Sequence, residues 1–137
     1  MNIFFDSSAW AKRYIEEEGS RTVEELCFEA EQITLSILCI PEVVSAFSRL
    51  MREEKISKKQ FKQLKGHLFR EIKDLQLVQI TEDVIQNAVT LLQTYPLRTL
   101  DALHIACALS VKIDLFVTAD RKQMEAARAL NLAISEV

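Results

Sequence analysis

Along this chain, short unbroken apolar runs alternate with longer stretches in which apolar residues return every three or four positions. The runs have the length of strands buried on both faces, and the longer spacing is that of helices with one face on a core. Residues 2 to 5 form the first run, and Ser7 or Ser8 then caps a helix through Ala9, Trp10 and Tyr14 that ends near Gly19. Ser20 caps a second helix with Val23, Leu26 and Cys27 on one face, and Ile33-Thr34-Leu35-Ser36 reads as a second strand. Pro41 suits the first turn of a long helix, where its missing N–H costs nothing, and Val43, Val44, Phe47, Leu50 and Met51 give that helix its stripe. Ser57 starts another helix, with Phe61, Leu64, Leu68 and Ile72 at helical spacing. Leu75 to Ile80 reads as an edge strand or an extended connector. Thr81 caps a helix carrying Val84, Ile85, Ala88, Leu91 and Leu92, which Tyr95-Pro96 breaks. Thr99 caps the next, through Asp101, Ala102, Ile105, Ala106 and Leu109. Leu115 to Thr118 is a strand, a helix follows Asp120, and Leu132 to Ile134 adds a final edge strand.

Strands that alternate with helices need crossover connections, so the pattern predicts an α/β fold: a mostly parallel central sheet with helices on both faces. A length of 137 residues without repeat or linker is that of one ordinary domain, and residues 1–137 are expected to form one. Hydrophobic residues at 49% with 27% charged exclude a disordered chain, and only two glycines and two prolines leave room for little but short loops. No apolar run approaches the roughly 18 residues needed to cross a bilayer. No basic leader precedes the first apolar residues, so a cytoplasmic location is expected. Cys27, Cys39 and Cys107 have no metal-ligand spacing and fall in apolar-periodic segments, as buried free thiols do.

Charge changes the picture locally. The net charge of −3 disfavours a polyanionic partner, yet residues 49 to 73 hold nine Lys/Arg against three Glu, a balance of +6 that leaves −9 on the rest. A lysine-rich helix pair is usually only a solvated face. It gains meaning beside an acidic metal site, because a phosphate chain must be neutralised along its length.

Four acids stand beside apolar stretches at or near helix starts: Asp6, Glu42, Asp101 and Asp120. Glu42 and Asp101 would complement a helix dipole there, and Asp120 would serve as an N-cap. Asp6 is harder to account for in that way, because it follows a run of large apolar residues at a strand's end. In parallel α/β sheets, ligands gather outside the carboxyl ends of the strands, where Asp6 and Asp120 both fall. Four carboxylates gathered there would repel one another unless a cation lay between them, and oxygen-only ligands suit magnesium or manganese rather than zinc. Such ions hydrolyse phosphodiesters by activating water and stabilising the leaving oxygen. Ser8 and Thr118 are secondary candidates for holding a carboxylate, a metal-bound water or a phosphate oxygen. Lys12, Arg13 and Arg98 are candidates to contact phosphate, although exposed basic residues are weak signals. His104, one turn after Asp101 on the same face, reads as a satisfied, partly buried histidine.

These segments resemble the PIN domain, and within it the VapC-type toxins of toxin–antitoxin pairs. The resemblance rests on Asp6-Ser7-Ser8-Ala9 with Lys12-Arg13-Tyr14, on Pro41-Glu42-Val43-Val44-Ser45-Ala46, on Leu100-Asp101-Ala102-Leu103-His104-Ile105-Ala106 and on Val117-Thr118-Ala119-Asp120-Arg121, in family order across nearly the whole chain. It implies a three-layer α/β/α sandwich, with Asp6, Asp101 and Asp120 holding Mg2+ or Mn2+ and Glu42 acting as a ligand or orienting the attacking water. It also implies an endoribonuclease that cleaves RNA, forms a homodimer and is inhibited by a small cognate antitoxin. Ser8 and Thr118 match positions where the family often keeps hydroxyls. Ser7 stands where a threonine is common, and Arg121 and Lys122 follow Asp120 where some larger relatives carry further acids. Two rivals remain. One is a catalytically silent binding module of the same fold. The other is a phosphoacceptor or phosphatase with Asp6 as nucleophile, disfavoured because Ser7 and Ser8 stand where a second acid is wanted.

Overall fold

The computed structural model describes all 137 residues. Five strands, β1 (Asn2–Phe5), β2 (Gln32–Ser36), β3 (Gln76–Val78), β4 (Leu115–Thr118) and β5 (Ile134–Glu136), form one sheet in the order β3-β2-β1-β4-β5. Every neighbouring pair is parallel, with Phe4 opposite Thr34 on one side and Phe116 on the other. Seven α-helices connect them: α1 (Ser7–Trp10), α2 (Ser20–Glu29), α3 (Cys39–Arg52), α4 (Lys58–Glu71), α5 (Glu82–Thr94), α6 (Thr99–Leu109) and α7 (Arg121–Ala129). The expected α/β/α sandwich is the observed architecture.

Strand alternation divides the core between the two helix layers. Ile3, Phe5, Leu35 and Val117 turn to one face and pack with Trp10, Val23, Val43, Phe47 and Leu68 from α1 to α4. Phe4 and Phe116 turn to the other, stacked at 5.4 Å, and pack with residues of α5, α6 and α7. The chain therefore winds outward from β1 to β3 on one face, then returns across the other to β4. The strand order reverses between β1 and β4, and the carboxyl ends of these two neighbours frame the crevice where such sheets bind ligands.

Several local expectations shift. The first helix is short: α1 ends at Trp10, a 3-10 turn covers Ala11–Arg13, and its N-cap is Asp6 rather than Ser7 or Ser8. Ser20 does not cap α2. Gly19 sits at the cap with φ +90°, and the Ser20 hydroxyl instead closes the preceding loop, accepting from Glu17 N and donating to Ile15 O. At α6 the cap position is Arg98, not Thr99. The last strand lies two residues later than its apolar pattern, because Phe116 N bonds Ala133 O and fixes the register from there. Ser57 and Thr81 do cap α4 and α5, the former in a reciprocal capping box with Gln60. No helix is long and apolar enough to cross a membrane.

Candidate metal and nuclease site

Asp6 is the hub. It follows β1, is fully buried, and takes extended backbone angles that let its side chain turn back over the first turn of α1. Its Oδ1 accepts from Ala9 N at 2.9 Å and from the Ser8 hydroxyl at 2.7 Å, and its Oδ2 accepts from the Thr118 hydroxyl. Burial pushes its carboxyl up, against the opposing pull of Thr118, Ser8, Ala9 N–H and His104. Ser8 also accepts from Ala119 N at 3.0 Å, so the two hydroxyls lace the end of β1 to the end of β4.

The network continues into the other acids. Thr118 Oγ1 accepts from Asp120 N at 2.9 Å. Asp120 caps α7 by accepting from Gln123 N on Oδ1 at 3.0 Å, which leaves Oδ2 facing the Arg98 guanidinium at 3.8 Å. The buried Gln123 amide donates from Nε2 to Asp101 Oδ1 at 3.1 Å. Asp101, 4% exposed, accepts on Oδ2 from Arg98 N at 3.3 Å and Arg98 Nε at 3.2 Å. Asp101 thus satisfies the start of its own helix.

Glu42, in the first turn of α3, belongs to a second group. Its Oε1 accepts from the Ser7 hydroxyl at 2.7 Å and meets His104 Nε2 in a short contact, while Ser7 and His104 lie 3.0 Å apart. Burial pushes the Glu42 carboxyl up, but the bonds from His104 and Ser7 outweigh it and hold the group below the ordinary range. His104 departs from its expectation. It is fully buried rather than partly so, and its Nδ1 has no partner. Ser7 and Ser8, adjacent in sequence, join this group to the Asp6 group.

All four acids therefore lie at the carboxyl edge of β1 and β4, or on helices facing it. Asp6 and Asp120 share Thr118, Asp101 and Asp120 share Arg98 and Gln123, and Glu42 joins through Ser7. As the side chains stand, no three His, Cys, Asp or Glu groups are placed to hold one ion. The donor set nonetheless fits a hard divalent cation. It consists of carboxylate oxygens, Gln123 Oε1 is buried without a partner, and a positive group already stands between Asp101 and Asp120.

A hollow of about 350 Å³ opens beside Ser7, Ser8 and Glu42, with Arg49 from the basic stretch in its wall. A larger one of about 620 Å³ lies between α3 and α4 and shares Ile15 and Leu50 with it. Of the four acids only Glu42 lines the smaller hollow, and none lines the larger. Lys12 is held by Glu17 and the Glu18 carbonyl, and Arg13 by Glu71. Of the three named cations, Arg98 alone touches the acids.

Gln123 was not among the residues the sequence singled out. Its only signal is its place three residues after a capping Asp, where Gln ordinarily reaches back to the cap. Ser7 and His104 likewise gain their roles only from contacts across the fold.

The PIN domain model matches residues 3–129. VapC20 of Mycobacterium tuberculosis, a sarcin-ricin loop cleaving toxin, superposes with a TM-score of 0.69 at 18% identity, covering 90% of this chain and 94% of that one. VapBC2 of Rickettsia felis, bound to a promoter DNA fragment, gives 0.70 at 16% identity over 100% and 99%. FitAcB of Neisseria gonorrhoeae gives 0.70 at 16% identity over 96% and 95%. At these identities the likeness is one of fold. No match is found among curated protein sequences. With the family model spanning nearly its whole length, the chain belongs to the PIN domain family.

Proposed function

We propose that this chain is a Mg2+- or Mn2+-dependent endoribonuclease that acts as the toxin of a toxin–antitoxin pair. The observation that carries the reading is the gathering of Asp6, Glu42, Asp101 and Asp120 at the carboxyl ends of β1 and β4 in one bonded network. Asp6, Asp101 and Asp120 would hold the ion, with Glu42 as a further ligand or as the group that orients water. When bound, the ion would activate water and neutralise charge on the leaving oxygen. The chain's own residues do the rest. Ser8 and Thr118 fix the Asp6 carboxylate, Gln123 fixes Asp101, and Ser7 with His104 fixes Glu42. Arg49, in the wall of the hollow, brings positive charge to the approach a phosphate chain would take.

The partner reading draws support from one neighbour. A toxin–antitoxin complex from Klebsiella pneumoniae holds a chain of this fold, which supports a cognate antitoxin. A homodimer finds support in α5, where Ile85, Val89 and Leu92 are exposed at helical spacing and form a stripe a second copy would cover. The test is cleavage of RNA with added Mg2+ or Mn2+ by the purified chain and by Asp101→Asn. Equal cleavage by both proteins would remove the site assignment.

The rival reading is a silent module of the same fold. It draws on Arg98 and Gln123, which satisfy the Asp101 oxygens with no ion. Calorimetric titration with Mn2+ separates the two, since a silent module gives no heat that depends on the carboxylates.

A further inference from the structure

We propose that Arg98 is a built-in counter-ion of this site: its guanidinium holds Asp101 and Asp120 together until a divalent cation displaces it. This rests on the metal-dependent reading above. Two carboxylates that share a partner in a largely buried setting need a positive charge nearby, and Arg98 is placed to give it. Its Nε lies 3.2 Å from Asp101 Oδ2 and its terminal nitrogen 3.8 Å from Asp120 Oδ2. One planar guanidinium thus spans acids from two different helices.

Displacement is cheap by construction. The Arg98 side chain is 78% exposed, on the connector after the Tyr95-Pro96 break, so its stem gives up little packing on leaving. Its backbone N–H bonds the same Asp101 oxygen at 3.3 Å. When the guanidinium swings out, Asp101 keeps its main-chain donor and its bond to Gln123, and stays aimed. The group that leaves is therefore the mobile one, while the acids remain set. No other cation competes for the role among those near α1, because Lys12 and Arg13 are committed to Glu17, Glu18 and Glu71.

The consequence is a trade-off. Arg98 stabilises the ion-free protein and weakens ion binding, because a bound cation must either evict it or sit beside a like charge. Removing the charge should raise Mn2+ affinity by about fourfold, the scale of one exposed ion pair. It should also lower the melting temperature in chelator by roughly 3 °C, a difference that disappears in saturating Mn2+.

The experiment is calorimetric titration of Mn2+ into the full chain at low salt, with melting curves in chelator and in excess Mn2+. It compares wild type with Arg98→Met, which keeps the stem, and with Arg98→Ala. Asp101→Asn identifies the heat that comes from the site. Tighter binding in both Arg98 variants, with the chelator-only loss of melting temperature, supports the inference. Equal or weaker binding in them, where wild type binds, overturns it and leaves the metal reading standing. Absence of Asp101-dependent heat in all three proteins overturns the metal reading, and this inference with it.

Discussion

Replacing Asp6 separates what its carboxylate does for the fold from what it does for chemistry. In Asp6→Ala the N-cap of α1 is lost, a change worth about 0.5–2 kcal/mol. The buried Thr118 hydroxyl also loses its acceptor, which adds about 1–3 kcal/mol. Relief of a buried charge returns part of this, leaving a net loss of roughly 2–4 kcal/mol, or about 6–12 °C in a domain of this size. Asp6→Asn keeps an oxygen for Ala9 N and the Ser8 hydroxyl, so the cap survives, and its amide can donate to Thr118 Oγ1, leaving only the Thr118 proton without its acceptor. Its melting temperature should stay within about 3 °C of wild type. The sign with pH follows from the raised carboxyl. The folded state holds the Asp6 proton more tightly than the unfolded chain does. That contribution to stability is therefore greatest in acid and falls as pH rises from the ordinary carboxylate range through the folded value. Asp6→Asn lacks this fall, so relative to wild type it gains stability from pH 4 to pH 7. Both variants should lose RNA cleavage. Melting in chelator from pH 4 to 8 beside a cleavage assay tests the reasoning, and an Asn variant that cleaves at the wild-type rate or melts with the Ala variant refutes it.

Other substitutions probe the supports. Gly19→Ala would force φ +90° on a side chain whose Cβ lands 2.7 Å from the Val137 carbonyl carbon, so denaturant titration should show a loss of about 2–4 kcal/mol. Gln123→Ala removes a donor from buried Asp101 and should cost about 1–2 kcal/mol and weaken Mn2+ binding. Gln123→Glu should destabilise more at pH 7 than at pH 5, because protonation in acid relieves the new repulsion; a pH-independent difference in melting temperature would contradict this. Burial pushes the Cys27 thiol up to about 11, and buried Cys39 is pushed up further. Native alkylation at pH 8 should be slow and quicken about tenfold per pH unit below that value, and a thiol that reacts fast at neutral pH would speak against the packing.

The layers of the fold were legible because strand and helix periods differ sharply in this chain and little else interrupts them. Four acids could be named because each stands at a strand end or helix start. Their joining groups could not. Nothing in Gln123 or His104 as letters distinguishes a side chain that reaches across to α6 or α3 from one turned to solvent. Arg98 appeared only as one cation among several, and its contact with both Asp101 and Asp120 depends on where the connector after Pro96 runs. The caps went astray for a related reason. Aspartate caps as well as serine does and better than threonine, so the letters alone do not say which of neighbouring candidates takes the position, and at α1 and α6 carboxylates took that work from Ser7, Ser8 and Thr99. The dimer candidates on the helices after Ser20 and Ser57 remain as Phe28, 92% exposed, and Phe69, but the longer apolar stripe lies on α5.

Asp6 and Asp120 each divide their two oxygens: one is bound to the amide that begins the next helix, and the other looks across to a different element. Reach, and not only charge, is therefore what these positions demand. One extra methylene would carry the carboxylate past the amide it must meet, unseating the helix start while leaving the formal charge untouched. Glutamate at position 6 or 120 should harm the architecture more than asparagine does, the reverse of what electrostatic similarity alone would rank.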